Sequence, residues 1–152
     1  MRNKFILVAV LIMILVIVAG CGGGSSVKRP SGLSPEEVVH NFFDSAKNSR
    51  MNEAALYVSP TSMSDTQTVL KFVTGQSSST IKSSNLLSVK KVAQQGNYAA
   101  VIATLQQEQN SLNITIKPVG LEKINGEWYI VDSDQVFRDA KYQVLAQLLR
   151  GL

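Results

Sequence analysis

The chain has 152 residues, a formal charge of +4, one cysteine and one histidine. A single cysteine excludes an intrachain disulfide and a thiolate cluster, and no His/Cys spacing suits a metal ion. The basic residues form no block and the charge falls to +2 once Arg2 and Lys4 are set aside, so nucleic acid is not implied.

Met1-Arg2-Asn3-Lys4 supplies a basic start, Phe5 to Val18 an apolar run, and Val18-Ala19-Gly20 a small-residue site before Cys21. The run suits the core of a secretory signal and is shorter than the ~20 residues of a spanning helix, the uncleaved anchor being the alternative. Val18-Ala19-Gly20-Cys21 resembles the lipobox of bacterial lipoproteins. That resemblance implies cleavage after residue 20, a diacylglyceryl group on the Cys21 thiol and acylation of the new amino terminus. Two or three acyl chains exceed what stable anchoring requires. The expected partner is therefore a membrane, reached through lipid on Cys21, and the expected location is the outer face of the cell membrane or the outer membrane.

With the thiol consumed, roughly 130 residues remain, enough for one domain. Residues 21–32 form the lipidated cysteine and a Gly/Ser tether with an end-to-end span of about 15–20 Å. Within it Lys28 and Arg29 are solvated or touch anionic headgroups.

Residues 33–152 form the domain. Ser34 caps a helix, Pro35 takes its first position, Glu37 completes a capping box and Leu33 staples against Val38. Val38, Val39, Phe42, Phe43 and Ala46 recur at helical spacing and form its buried face. After Asn48-Ser49-Arg50 a short helix runs to Tyr57 and stops before Ser59-Pro60. A third starts at Ser64-Asp65, carries Val69, Leu70, Phe72 and Val73, and ends at Gly75. Beyond the loop at residues 76–80 the period becomes that of strands, at 86–93, 98–106, 112–124 and 127–132. Gln95-Gly96-Asn97, Gln109-Asn110-Ser111 and Asn125-Gly126 are short turns, which make the neighbours antiparallel. Leu112, Ile114 and Ile116 alternate with polar residues and predict one dry face, with a bulge or bend at Pro118-Val119-Gly120. The strands around Tyr98-Ala103 and Trp128-Val131 are apolar on both faces and should be covered on both. A last helix, 135–150, capped by Ser133 or Asp134, carries an apolar stripe that includes Phe137, Leu145 and Leu149. It suits packing on the second sheet face, with a docking helix for a partner subunit or an interfacial membrane helix as alternatives.

The fold class is thus α+β, N-terminal helices on a curved antiparallel sheet with an extra C-terminal helix. Ser-Pro-Glu-Glu-Val-Val-X-X-Phe-Phe at the start and Asn-Gly-Glu-Trp-Tyr-Ile-Val-Asp at the end of the meander resemble the nuclear transport factor 2-like superfamily, and more closely small bacterial lipoproteins of unknown function. The resemblance covers Leu33 to about Asp134 and implies a cone-shaped domain; the final helix departs from the usual pattern. Such cones include enzymes and inert binding modules, so the site must decide.

No catalytic constellation stands out. His40 lies off the phenylalanine line with Asp44 at i+4 for a surface pairing. Asp132 and Asp134 flank Ser133 where capping accounts for them, and Glu122 and Glu127 flank the Asn-Gly turn, where solvation is expected. No cofactor and no metal site is implied. The remaining handle is aromatic: Tyr57, Trp128, Tyr98 and Phe42 are the candidate lining of an apolar pocket, against ordinary core packing. The reading is a lipid-anchored, non-catalytic envelope domain that binds a partner protein, an apolar ligand or a second copy in a homodimer. The alternative is an enzyme of the same cone fold acting on a small hydrophobic substrate.

Overall fold

The computed structural model describes residues 28–62, 65–77, 81–107 and 112–152. The signal segment, Cys21 and Gly22 to Ser26 lie outside the described residues. So do Ser64, the loop residues 78–80 and the turn Gln109-Asn110-Ser111. Among the described residues no helix is long and apolar enough to cross a membrane.

The chain is α+β. Helices α1 (Pro35–Lys47), α2 (Met51–Ala55) and α3 (Thr66–Thr74) precede a 3₁₀ turn at Ile81–Ser83 and a four-stranded antiparallel sheet in the order β1-β2-β3-β4, with β1 Asn85–Gln95, β2 Tyr98–Gln106, β3 Ile114–Ile124 and β4 Glu127–Ile130. The α1 start forms as its sequence dictates: the Ser34 side chain accepts from the Glu37 N–H, the Glu37 carboxylate accepts from the Ser34 N–H, and Pro35 needs no partner there. Asp65 caps α3 through the Thr68 N–H, and Gly75 ends it in the left-handed region at φ 70°.

Strand pairing sorts the side chains into two faces. Ala99, Val101, Ala103 and Leu105 of β2 share one face with Leu121 and Val119 of β3 and with Trp128 and Ile130 of β4. This face packs against Val38, Val39, Phe42, Phe43, Val69, Leu70 and Val73 of the helices and forms the larger core. The opposite face carries Tyr98, Ala100, Ile102 and Thr104 with Glu122, Gly120, Pro118, Ile116 and Ile114.

The C-terminal segment covers only one end of that second face. It is not one helix from Gln135. Helix α4 (Ser133–Arg138) stops at Asp139, whose extended backbone and carboxylate cap a 3₁₀ turn at Ala140–Tyr142, and α5 (Gln143–Arg150) follows. Asp132 occupies the N-cap position of α4. The break lets Tyr142, Leu145 and Ala146 pack with Val131, Val136, Tyr98 and Leu149 in a second, smaller core, while Phe137 of the predicted stripe is left exposed beneath the Arg150 guanidinium. Gly120 admits α5: a Cβ there would lie 3.0 Å from Leu145 Cδ2.

Four further expectations are corrected. The register through Pro118-Val119-Gly120 is continuous, and the irregularities lie in β1, at Leu86/Ser88 and Lys91/Ala93. Pro118 sits where β3 has outrun β4, so its missing N–H is tolerated as on an edge strand. The face of Ile114 and Ile116 is not dry, because α5 does not reach it: Ile114 is 56% exposed, Ile116 64%, and Leu112, outside β3, 97%. For the same reason β2 is covered on both faces only over its first residues. Finally, α2 ends at Ala55 and the chain turns so that Val58 forms a parallel bridge to Ile130, closing the outer edge of β4. The Ile130 N–H donates to the Tyr57 carbonyl and the Ser59 N–H to the Ile130 carbonyl, both at 2.8 Å.

Because Leu145 is fully buried over Gly120, Gly120→Val should cost about 1–3 kcal/mol of stability by overpacking. Denaturant titration should also show Leu145→Ala in the same chain to be less than additive with it.

Candidate functional site

The densest polar cluster lies where the edge-closing loop, β3 and the C-terminal segment meet. Glu122 is 3% exposed, not solvated as its place beside the turn suggests. Strand alternation does turn it away from the larger core, but that face is roofed here by the 3₁₀ turn. The Val58–Ile130 bridge delivers Ser59 and Thr61, and the Asp139-capped turn delivers Lys141 and Tyr142. Glu122 Oε1 accepts hydrogen bonds from the hydroxyls of Ser59, Thr61 (2.8 Å) and Tyr142 (2.9 Å), and Oε2 takes the Lys141 ammonium at 2.8 Å. Gln135 Nε2 adds a bond to the Thr61 carbonyl, and the Tyr98 hydroxyl donates to the Lys141 carbonyl at 3.0 Å.

Electrostatics fix the protonation states. Burial alone would push the Glu122 carboxyl up, but hydrogen bonds from Lys141, Ser59, Thr61 and Tyr142 outweigh it and hold it below the ordinary glutamate value. Desolvation would likewise lower Lys141, but bonding to Glu122 and Tyr142 raises it. Burial raises the Tyr142 phenol first of all. An ionised carboxylate with its lone pairs occupied, a firmly protonated amine and a neutral phenol leave neither a base nor a nucleophile free. The cluster clips the C-terminal segment to the sheet.

A second contact ties down the chain before the domain. Arg29 is not solvated: its side chain is 10% exposed, its guanidinium lies 4.3 Å from the Tyr129 ring centroid and 5.4 Å from that of Tyr57, and Nη2 donates to the Trp128 carbonyl. Glu127 stands 3.9 Å from Nη2 and accepts from the Gly32 N–H at 3.0 Å. Arg29 and Gly32 are thus held against the β4 end of the sheet.

The four aromatics do not share one cavity. Phe42, Tyr57 and Trp128 belong to the larger core, and Tyr98 packs edge-on to Tyr142 at 6.1 Å across the sheet from them. A shallow hollow near Tyr57 is lined by Arg29, Ala55, Leu56, Val58, Pro60 and Tyr129. His40 is exposed, and Asp44 pairs with Arg50 at 2.6 Å instead. Among the described residues no group of His, Cys, Asp and Glu could hold a metal ion.

What remains uncovered is the far end of the second sheet face. Ile114, Ile116 and the irregular Leu87, 51% exposed, stand there with half-buried Ile102 and Pro118. No protein-family model matches the chain, and no curated protein matches it.

Glu122→Gln should cost about 1–3 kcal/mol, since the amide cannot accept from all four donors. Its pH signature has a definite sign. Glu122 is lowered on folding, so its contribution is present above the unfolded value near 4.5 and is lost as the pH falls through the lower folded value. Urea midpoints measured down through that window should fall more steeply in the parent than in the variant. Arg29→Ala should cost about 1–2 kcal/mol from the two ring contacts and should speed tryptic cutting after Lys28. An unchanged cutting rate would show that Arg29 does not hold this segment.

Proposed function

We propose that this chain is an exported lipoprotein, anchored by acyl chains on Cys21, whose non-enzymatic domain works as a binding module at the envelope surface. The observation that carries this reading is the contrast between its two notable regions. The buried polar cluster around Glu122 is self-neutralised, whereas an apolar sheet end is left bare by a C-terminal segment that covers only the other end. Exposed aliphatic side chains side by side on a sheet mark a recognition surface more readily than a reaction site. The order of helices then antiparallel meander supports the nuclear transport factor 2-like cone, with the working surface on the outside of the sheet rather than among the aromatics of its core. The basic start, apolar run and Val18-Ala19-Gly20-Cys21 support export and lipidation.

Intact mass and palmitate labelling of the protein made in a bacterial host test the anchor. The parent should begin at Cys21 and carry diacylglyceryl mass, and Cys21→Ser should carry no label. A parent that begins at Met1 without lipid would overturn it. For the surface, Ile116→Asp should leave the thermal midpoint nearly unchanged, because the side chain is 64% exposed, while abolishing whatever association the domain makes.

A further inference from the structure

The bare sheet end has a charge environment that says what it meets. From Thr66 to Leu121 the sequence holds five lysines and a single acid, Glu108. Two of those lysines stand by the apolar end. Lys90 pairs with Ile102 on the bare face itself and Lys82 is exposed on the 3₁₀ turn that leads into β1, whereas Lys71 on α3 and Lys117, opposite Ala103 and 5.9 Å from the Phe72 ring, lie on the helix side of the sheet. None of the four is ion-paired to a described residue. Of the described acids, Glu36 and Glu37 stand at the start of α1, Glu122 is inside its cluster and Glu127 is beside Arg29, while Glu108 lies outside the described residues.

Resting on the lipoprotein reading above, we infer that this surface docks on the anionic lipid bilayer that carries the anchor. Leu112, Ile114, Ile116 and Leu87 enter the boundary between headgroups and acyl chains. Lys82 and Lys90 lay their stems over apolar surface and place their ammonium groups among lipid phosphates. Tether length agrees. Only the seven residues Gly22 to Lys28 separate Cys21 from the docked Arg29, a reach of at most about 25 Å. Arg29 stacks on Tyr129, which the register puts on the same sheet face as Ile114 and Ile116 through Glu122. The chain therefore enters from the side that carries the bare surface, close enough for that surface to lie on the bilayer. A docked face of aliphatic residues flanked by Lys82 and Lys90 would act as a second, salt-sensitive membrane contact beside the covalent lipid.

The test uses the full lipidated chain carrying Leu112→Cys, in which lipid blocks Cys21 and the new thiol alone takes a polarity-sensitive fluorophore. The protein is reconstituted into vesicles of phosphatidylcholine with or without phosphatidylglycerol. The label should shift to the blue and resist an aqueous quencher only with phosphatidylglycerol, and high salt should reverse this. Removing Lys82 or Lys90 should lower the docked-to-free ratio about fivefold each. A label that stays in water in both vesicle types overturns the inference. Shielding that grows with protein density and is equal in both lipids also overturns it, by assigning the face to a second copy while leaving it a binding surface. Mass spectrometry reads the Cys21 lipid in the same sample. If it is absent, the anchor reading fails by itself, and the Leu112 label in a Cys21→Ser background still reports whether the face meets lipid.

Discussion

The buried Glu122 carboxylate is the constraint on which the arrangement of the rest depends. A charge removed from water is tolerated only when its lone pairs are filled and an opposite charge is near. Here the donors come from two separate parts of the chain, Ser59 and Thr61 after α2 and Lys141 and Tyr142 in the C-terminal turn, and meet on Glu122 of β3. The loop cannot close the β4 edge, nor the C-terminal segment cross the sheet, in any other register without stranding that carboxylate. The apolar contacts of Leu145 and Tyr142 supply affinity between layers, and the carboxylate supplies their alignment.

That alignment also limits coverage. The eight residues of α5 span about 12 Å, whereas the eleven of β3 span roughly 36 Å. A short helix pinned at Glu122 and seated on Gly120 can roof the end near the β3–β4 turn but not the end near Ile114. The bare surface is thus a consequence of where the second layer is clipped, not a defect of the strand sequence. The larger core is complete without it, so the apolar residues at Ile114 and Ile116 are not required for the helices to pack.

The tether end shows the same logic on a smaller scale. An arginine next to a Gly/Ser segment would ordinarily remain in water, but two tyrosine faces and a free carbonyl at the β4 edge offer it a better environment. Holding Arg29 selects the side of the sheet along which the chain runs into α1.

Much of this was legible from residues alone. The α1 capping box, the buried phenylalanines, the Asp65 cap, the Gly75 stop and the antiparallel meander all rest on local rules, in which the deciding contacts lie within a few residues. The Asn-Gly turn and the alternation in β3 were legible as well, but Glu122 beside the turn read as solvated and Pro118-Val119-Gly120 as a bulge or bend. What the sequence could not determine is which alternating face finds a partner. Periodicity shows that Ile114 and Ile116 share a side, but whether that side is dry depends on how far a distant helix reaches. Likewise the burial of Glu122 and the docking of Arg29 are decided by contacts between residues far apart in the chain. Local pattern therefore determined the elements and their order, and only tertiary packing decided which charges were buried and which apolar surface was left bare, because burial belongs to the pair of surfaces and not to either one.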